Sequence, residues 1–183
     1  MIDAYKNGAI IADIWQEKPA KESINCKPIP TYRSAELFEC LRQAANDFKA
    51  KTGKAPQIYF ECFGTLKQYK PRVDFSTDFF AIAGFEIVLG KGFANAQDAI
   101  SNIKSITAPI VVICSNDDIY TEVVPTYAAE LKKQKSNIKL ILAGLPTDYV
   151  EQFKQAGVDE FIHIRSNVYA TLEALFKSIG VIK

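Results

Sequence analysis

The run Ile110-Val111-Val112-Ile113-Cys114, followed at once by Ser115-Asn116-Asp117-Asp118, decides the fold of this chain. A strand with one face in water alternates apolar and polar residues. A strand that is apolar at every position is covered on both faces, as in a parallel sheet packed between helices. The acidic pair that follows reads as the start of a helix, where carboxylates meet the positive end of the helix dipole.

The same signature recurs along the chain. Apolar runs stand at Ile58–Phe63, Phe85–Leu89, Ile110–Cys114, Ile138–Ala143 and Glu160–Ile164. Helical spacing separates and follows them, over about Asp74–Ala83, Ala94–Ser105, Tyr120–Gln134, Thr147–Gln155 and Val168–Ile179. Five buried strands alternating with helices predict an α/β, flavodoxin-like (Rossmann-like) five-stranded parallel sheet in the order 2-1-3-4-5. Ahead of it, Ser34 and the apolar positions Leu37, Phe38, Leu41, Ala44, Ala45 and Phe48 predict a helix from about Ala35 to Lys51, ended by Gly53. Pro19, Pro28 and Pro30 enforce extended backbone, and Ile10, Ile11, Ile14 and Trp15 share one helical face. The expected division is an N-terminal segment with a helix, residues 1–55, and a sheet domain, residues 56–183.

Composition narrows the function classes. The chain has 183 residues, 48% hydrophobic and 23% charged, which is globular rather than disordered or fibrous. With 22 basic and 21 acidic residues the net charge is +1, so electrostatics makes no case for nucleic acid or an anionic membrane as partner. There is no signal-peptide pattern and no run of 18 apolar residues. Cys26, Cys40, Cys62 and Cys114 have irregular spacing with no C-x-x-C, and two fall in strand-like runs. Buried reduced thiols in a cytoplasmic protein are the expectation.

Folds of this kind place ligands at the carboxyl ends of the strands. The loops there are Gly64-Thr65-Leu66-Lys67-Gln68-Tyr69, Ser115-Asn116-Asp117-Asp118, Gly144-Leu145-Pro146 and His163-Ile164-Arg165. A phosphoacceptor receiver needs clustered carboxylates after strands one and three and a lysine after strand five. Strand one offers only Glu61 and Cys62, and strand five ends in His163 and Arg165. A flavodoxin phosphate loop needs several small hydroxyl and glycine residues, and Gly64-Thr65 is too short for one. Neither a Walker loop nor G-x-G-x-x-G occurs. A zinc site or Cys–His pair would rest on His163, the single histidine. Cys62 and Cys114, ending neighbouring strands, make a dithiol site conceivable, although two packed cysteines and a strand-end histidine are the blander reading.

From about Thr31 to Lys183 the chain resembles the cobalamin-binding domain of methylmalonyl-CoA mutases. The stretch Tyr32-Arg33-Ser34-Ala35-Glu36-Leu37-Phe38-Glu39-Cys40-Leu41-Arg42 is similar to the family's R-x-x-x-x-F-E-x-L-R entry helix. Phe79 to Val88 is similar to its helix into strand two, Ile113-Cys114-Ser115-Asn116-Asp117 to its third-strand region, and Ala156 to Ile162 to its fifth.

The resemblance implies positions for the cofactor motifs, and each departs from the family pattern. Binding members carry D-x-H-x-x-G after strand one, the histidine ligating cobalt and the aspartate orienting it. Those three positions hold Lys67, Tyr69 and Arg72. The S-x-L after strand three becomes Cys114, Ser115 and Asn116. The G-G after strand four becomes Ala143-Gly144, and the G-P-G after strand five becomes His163-Ile164-Arg165. Small residues let the ligand approach the backbone, and bulky ones intrude. Departure in all four loops resembles the small subunit of heterodimeric methylmalonyl-CoA mutase, whose large subunit binds adenosylcobalamin and isomerises methylmalonyl-CoA and succinyl-CoA.

The expectation is therefore a domain with no catalytic, cofactor or metal residues of its own, inactive alone and structural in an isomerase. Its expected partners are the large subunit and, if the chain is a fragment, the remainder of the small subunit, which in this family has a barrel before this domain. Two other readings stand beside it: a domain that holds cobalamin without a histidine ligand, and a redox or metal site at Cys62, Cys114 and His163.

Overall fold

The computed structural model describes residues 3, 6–8, 27–31 and 33–183. The readings made for Ile10, Ile11, Ile14, Trp15, Pro19 and Cys26 lie outside the described residues. The chain divides into two compact units, Met1–Tyr32 and Arg33–Lys183. In the first, residues 27–31, with Pro28 and Pro30, are exposed and form no regular element.

The second unit holds five strands, β1 (Gln57–Phe63), β2 (Glu86–Phe93), β3 (Ile110–Cys114), β4 (Lys139–Ala143) and β5 (Glu160–Ile162). Its helices are α1 (Glu36–Thr52), α2 (Leu66–Ala81), α3 (Ala96–Asn102), α4 (Asp117–Gln134), α5 (Val150–Ala156) and α6 (Val168–Ser178). All strand pairs are parallel and the order is β2-β1-β3-β4-β5, the flavodoxin-like order the sequence predicts.

Alternation along β1 divides the core into two layers. Ile58, Phe60 and Cys62 join Phe79 and Phe80 of α2, Leu172 and Phe176 of α6 and Leu41 of α1. Phe63 joins Ala99 of α3, Tyr127 of α4 and Phe153 of α5 on the other side. β3, with all five residues buried, lies between the layers as its sequence requires.

Three of the differences from the expected boundaries bear on the site. Helix α1 belongs to the compact unit, which begins at Arg33 rather than near residue 56. Leu41 and Ala45 are buried in the same cluster as Phe85 and Phe176. Gly84, at φ 84°, lets Ala45 approach: a Cβ added there would stand 3.3 Å from the alanine methyl.

Helix α2 starts at Leu66, about two turns before the predicted Asp74, so most of the expected first loop is helix. Thr65 and Gln68 start it, the Gln68 Oε1 accepting from the Thr65 backbone N–H at 2.8 Å. Pro71 falls inside the helix, where the bond it forgoes is to the carbonyl of exposed Lys67 in the first turn. Strand β2 runs on to Phe93 through a bulge, since Phe60 pairs with Leu89 but Cys62 pairs with Gly92.

Candidate functional site

The carboxyl ends of β1, β3 and β4 are held together by two buried side chains. Ser115 Oγ donates to the Phe63 carbonyl at 2.8 Å, joining β3 to β1. Tyr120, in the first turns of α4, accepts from the Ser115 N–H at 2.9 Å and donates to the Ala143 carbonyl at 2.7 Å, joining β3 to β4. Asn116 Oδ1 caps α4 by accepting from the Ile119 N–H at 3.3 Å, and Asp117 and Asp118 fill its first turn as expected for helix-start carboxylates.

An open cleft of about 650 Å³ lies above β1 and β3, lined among others by Lys67, Gln68, Arg72, Ser115, Asn116 and Asp117. Arg72 crosses it and donates from Nη2 to Asp117 Oδ1 at 3.1 Å. Its guanidinium lies over Gly144, where a Cβ would come within 3.3 Å of Arg72 Cζ. Tyr69 instead covers Gly92 of β2, its Cε1 3.0 Å from where a Cβ would stand. Three of the positions singled out in the sequence, Lys67, Arg72 and Asn116, therefore share one cleft with Gly144 beneath Arg72.

The others lie elsewhere. Cys114 and Ala143 are buried at their strand ends. His163 and Arg165 form the turn after β5, which stops at Ile162. His163 Nδ1 accepts from the Arg165 N–H at 3.2 Å, and Ser166 Oγ accepts from the His163 N–H at 3.0 Å. Ile164, between them, is 88% exposed.

A second cleft of about 490 Å³ adjoins the first at Asp117 and carries Asp118, Glu122 and Asp148 with Leu145 and Tyr149 at its side. Among the described residues no group of three or more His, Cys, Asp or Glu is arranged to hold a metal ion.

The strand-end thiols Cys62 and Cys114 are poor nucleophiles. Cys62 and Cys114 are register partners on β1 and β3, fully buried and unbonded to each other. Burial, with Glu61 adding to it, pushes the Cys62 thiol up to about 12, and burial pushes Cys114 further. A thiol held that far above neutral pH supplies almost no thiolate.

Two buried polar groups went unassigned in the sequence. Tyr120 carries no local signal, because a tyrosine in an amphipathic helix reads as core. Glu61 does carry one, a lone acid inside the apolar run Ile58–Phe63. It is fully buried, and Tyr127 Oη donates to its Oε2 at 2.8 Å.

No protein-family model matches the chain. Among curated proteins it is similar to the methylmalonyl-CoA mutase small subunit of Porphyromonas gingivalis, with 30% identity over 155 residues, covering 85% of this chain and 24% of that protein. The small subunit from Propionibacterium freudenreichii subsp. shermanii is 24% identical over 172 residues, covering 88% and 26%. The chain thus spans about a quarter of the length of the curated relatives it matches. Among solved structures it is similar to a cobalamin-binding protein from Desulfitobacterium hafniense, with TM-score 0.52, 18% identity and coverage of 80% of this chain and 71% of that one. A receiver domain of a Pseudomonas aeruginosa sensor histidine kinase gives TM-score 0.50 and 12% identity over 69% and 99%. These structural likenesses bear on the fold alone.

Proposed function

We propose, for a chain related over 85% of its length to a methylmalonyl-CoA mutase small subunit, a role in assembly rather than in chemistry. In this reading it is a cobalamin-free domain of the small subunit of a heterodimeric methylmalonyl-CoA mutase. The large subunit holds adenosylcobalamin and carries out the isomerisation, and this domain supports the assembly.

The observation that carries the reading is the state of the segment after β1. Where the resemblance calls for a loop presenting a histidine, the chain has two turns of helix bearing Lys67, Tyr69 and Arg72. Tyr69 is spent on covering Gly92, and Arg72, tied to Asp117, fills the space above Gly144. A lysine donates only, so Lys67 provides no acceptor to orient an imidazole. These residues do not fit cobalamin, and no step of catalysis is assigned to them. The burial of both strand-end thiols argues against a dithiol or Cys–His centre.

One observation favours a second reading, a domain that still admits cobalamin without a histidine: Gly144 is a glycine and a cleft of about 650 Å³ remains beside it. The experiment separates the two. The chain is co-expressed with a candidate large subunit, captured by a tag on this chain, and passed through gel filtration with adenosylcobalamin. The assembly reading expects the large subunit to co-elute with this chain, and this chain run without it to elute free of the cofactor's visible absorbance. Failure to capture the large subunit overturns the assembly role. Absorbance eluting with this chain by itself overturns the cobalamin-free reading.

A further inference from the structure

Glu61 stands on β1, next to the edge strand, with its side chain on the α3–α4 side of the sheet. It is fully buried, and its Oε1 has no hydrogen-bond partner. Its one bond is from Tyr127 of α4 to Oε2 at 2.8 Å. None of the ion pairs among the described residues involves it.

The groups around it are acids or neutral. Tyr127 faces it from α4, and Tyr59 and Cys62 flank it on β1. β3 opposes it with Ile113. α3 contributes Ala96, Ala99 and Asn102, the last donating to Tyr59 Oη at 2.9 Å. β2 meets it at the bulge, Gly90–Lys91, where Lys91 is exposed.

At the bulge β2 lies close on β1. A Cβ on Gly90 would lie 2.4 Å from Tyr59 Oη and 2.6 Å from the Phe60 carbonyl. Yet no residue of β2 is buried, and Leu89 is 58% exposed. An edge strand with so little buried surface belongs to the part of a fold that opens at low free energy.

We propose that Glu61 is a proton-operated lock on the β1–β2 edge: neutral, it lets β2 close over β1 at the Gly90–Lys91 bulge, and ionised, it opens that edge to water. A neutral carboxyl tolerates this site with one bond from Tyr127, whereas a carboxylate there loses most of its hydration and gains no cation. Burial, only partly offset by the Tyr127 bond, raises its pKa from the ordinary 4.5 to about 8. An opened edge returns the group to water and to its ordinary value. The closed state then binds more protons than the open one between those two values. Opening therefore becomes about tenfold easier for each pH unit over that window and levels off above it.

The test is amide hydrogen exchange of the full chain from pH 5 to 9, read as protection factors after correction for intrinsic rates. Amides of β2 should lose about tenfold protection per pH unit up to about pH 8 and then hold steady. Those of Ile110–Cys114 in β3, which exchange only on global unfolding, should follow a similar slope at much higher protection, because unfolding also returns Glu61 to water. In Glu61→Gln the β2 slope should vanish. A flat β2 profile in the wild type overturns the proposal. So does equal protection of β2 and β3 at every pH, which would mean that Glu61 reaches water only on global unfolding. As a readout that needs no variant, the Glu61 side-chain carboxyl carbon followed by NMR should titrate far above the ordinary carboxylate range. A titration near 4.5 overturns the lock.

Discussion

Replacing Tyr120 by phenylalanine tests whether the site's frame is held by one hydroxyl. The substitution keeps the ring in its buried place and removes only the oxygen that accepts from Ser115 and donates to Ala143. Both Ser115 and Ala143 are fully buried, so neither backbone group left behind reaches bulk water. Each orphaned group costs on the order of 1–3 kcal/mol, and partial relaxation of the β4 end lowers the sum to about 2–4 kcal/mol. Against a total stability on the order of 5–15 kcal/mol, that is a large share. Urea denaturation followed by far-UV circular dichroism should show the midpoint fall with an unchanged slope, the mark of lost stability rather than an altered unfolded state. Tyr169→Phe is the control, because that hydroxyl meets only Glu173 at 3.3 Å, and its removal should leave the midpoint nearly unchanged. If Tyr120→Phe costs no more than the control, the hydroxyl does not join β3 to β4 and the account of the frame is wrong.

Three further outcomes follow from the same geometry. Tyr69→His should not confer cobalamin binding in a titration followed by visible absorbance, because the position faces Gly92 on a helix and Lys67 provides no acceptor; stoichiometric uptake would contradict the reading of α2. In a thiol-reagent assay at pH 8, exposed Cys40 should react within minutes, while Cys62 and Cys114 wait for denaturant; prompt reaction of either would show that the β1–β3 seam opens. Gly144→Ala should lower stability by about 1–3 kcal/mol in a thermal melt, since the residue sits at φ 143° and its new methyl would press on the Arg72 guanidinium; combining it with Arg72→Ala should recover the steric part alone, and full recovery would mean that backbone strain contributes nothing there.

The strands were legible because their signal is local. Ile110 to Cys114 is apolar at every position, and that alone implies cover on both faces. The start of α2 was hidden by a signal that is equally local but opposed. Gly64 to Tyr69 reads as the loop after strand one, with Pro71 close behind, and the capping by Thr65 and Gln68 starts the helix there instead. The far half of β2 was hidden for a different reason. Gly90-Lys91-Gly92 has no strand propensity, and it pairs only because glycines there admit Tyr59 and Tyr69.

The site divides the same way. That Lys67, Arg72 and Asn116 gather at one end of the sheet follows from strand order, which the pattern of apolar runs conveys. What those residues do at that end depends on partners far off in sequence. Arg72 finds Asp117 at the head of α4 and lies over Gly144 at the end of β4, and neither contact has a local signature. The consequence is chemical. A guanidinium paired with a carboxylate across the mouth of a cleft is held over Gly144, so its position there is set by those two partners. A substitution reading sees a glycine exchanged for an arginine at one loop. The folded chain makes that residue a link from α2 to the head of α4 and the end of β4, so Arg72→Gly alone would leave Asp117 without this partner and the strand ends less firmly held.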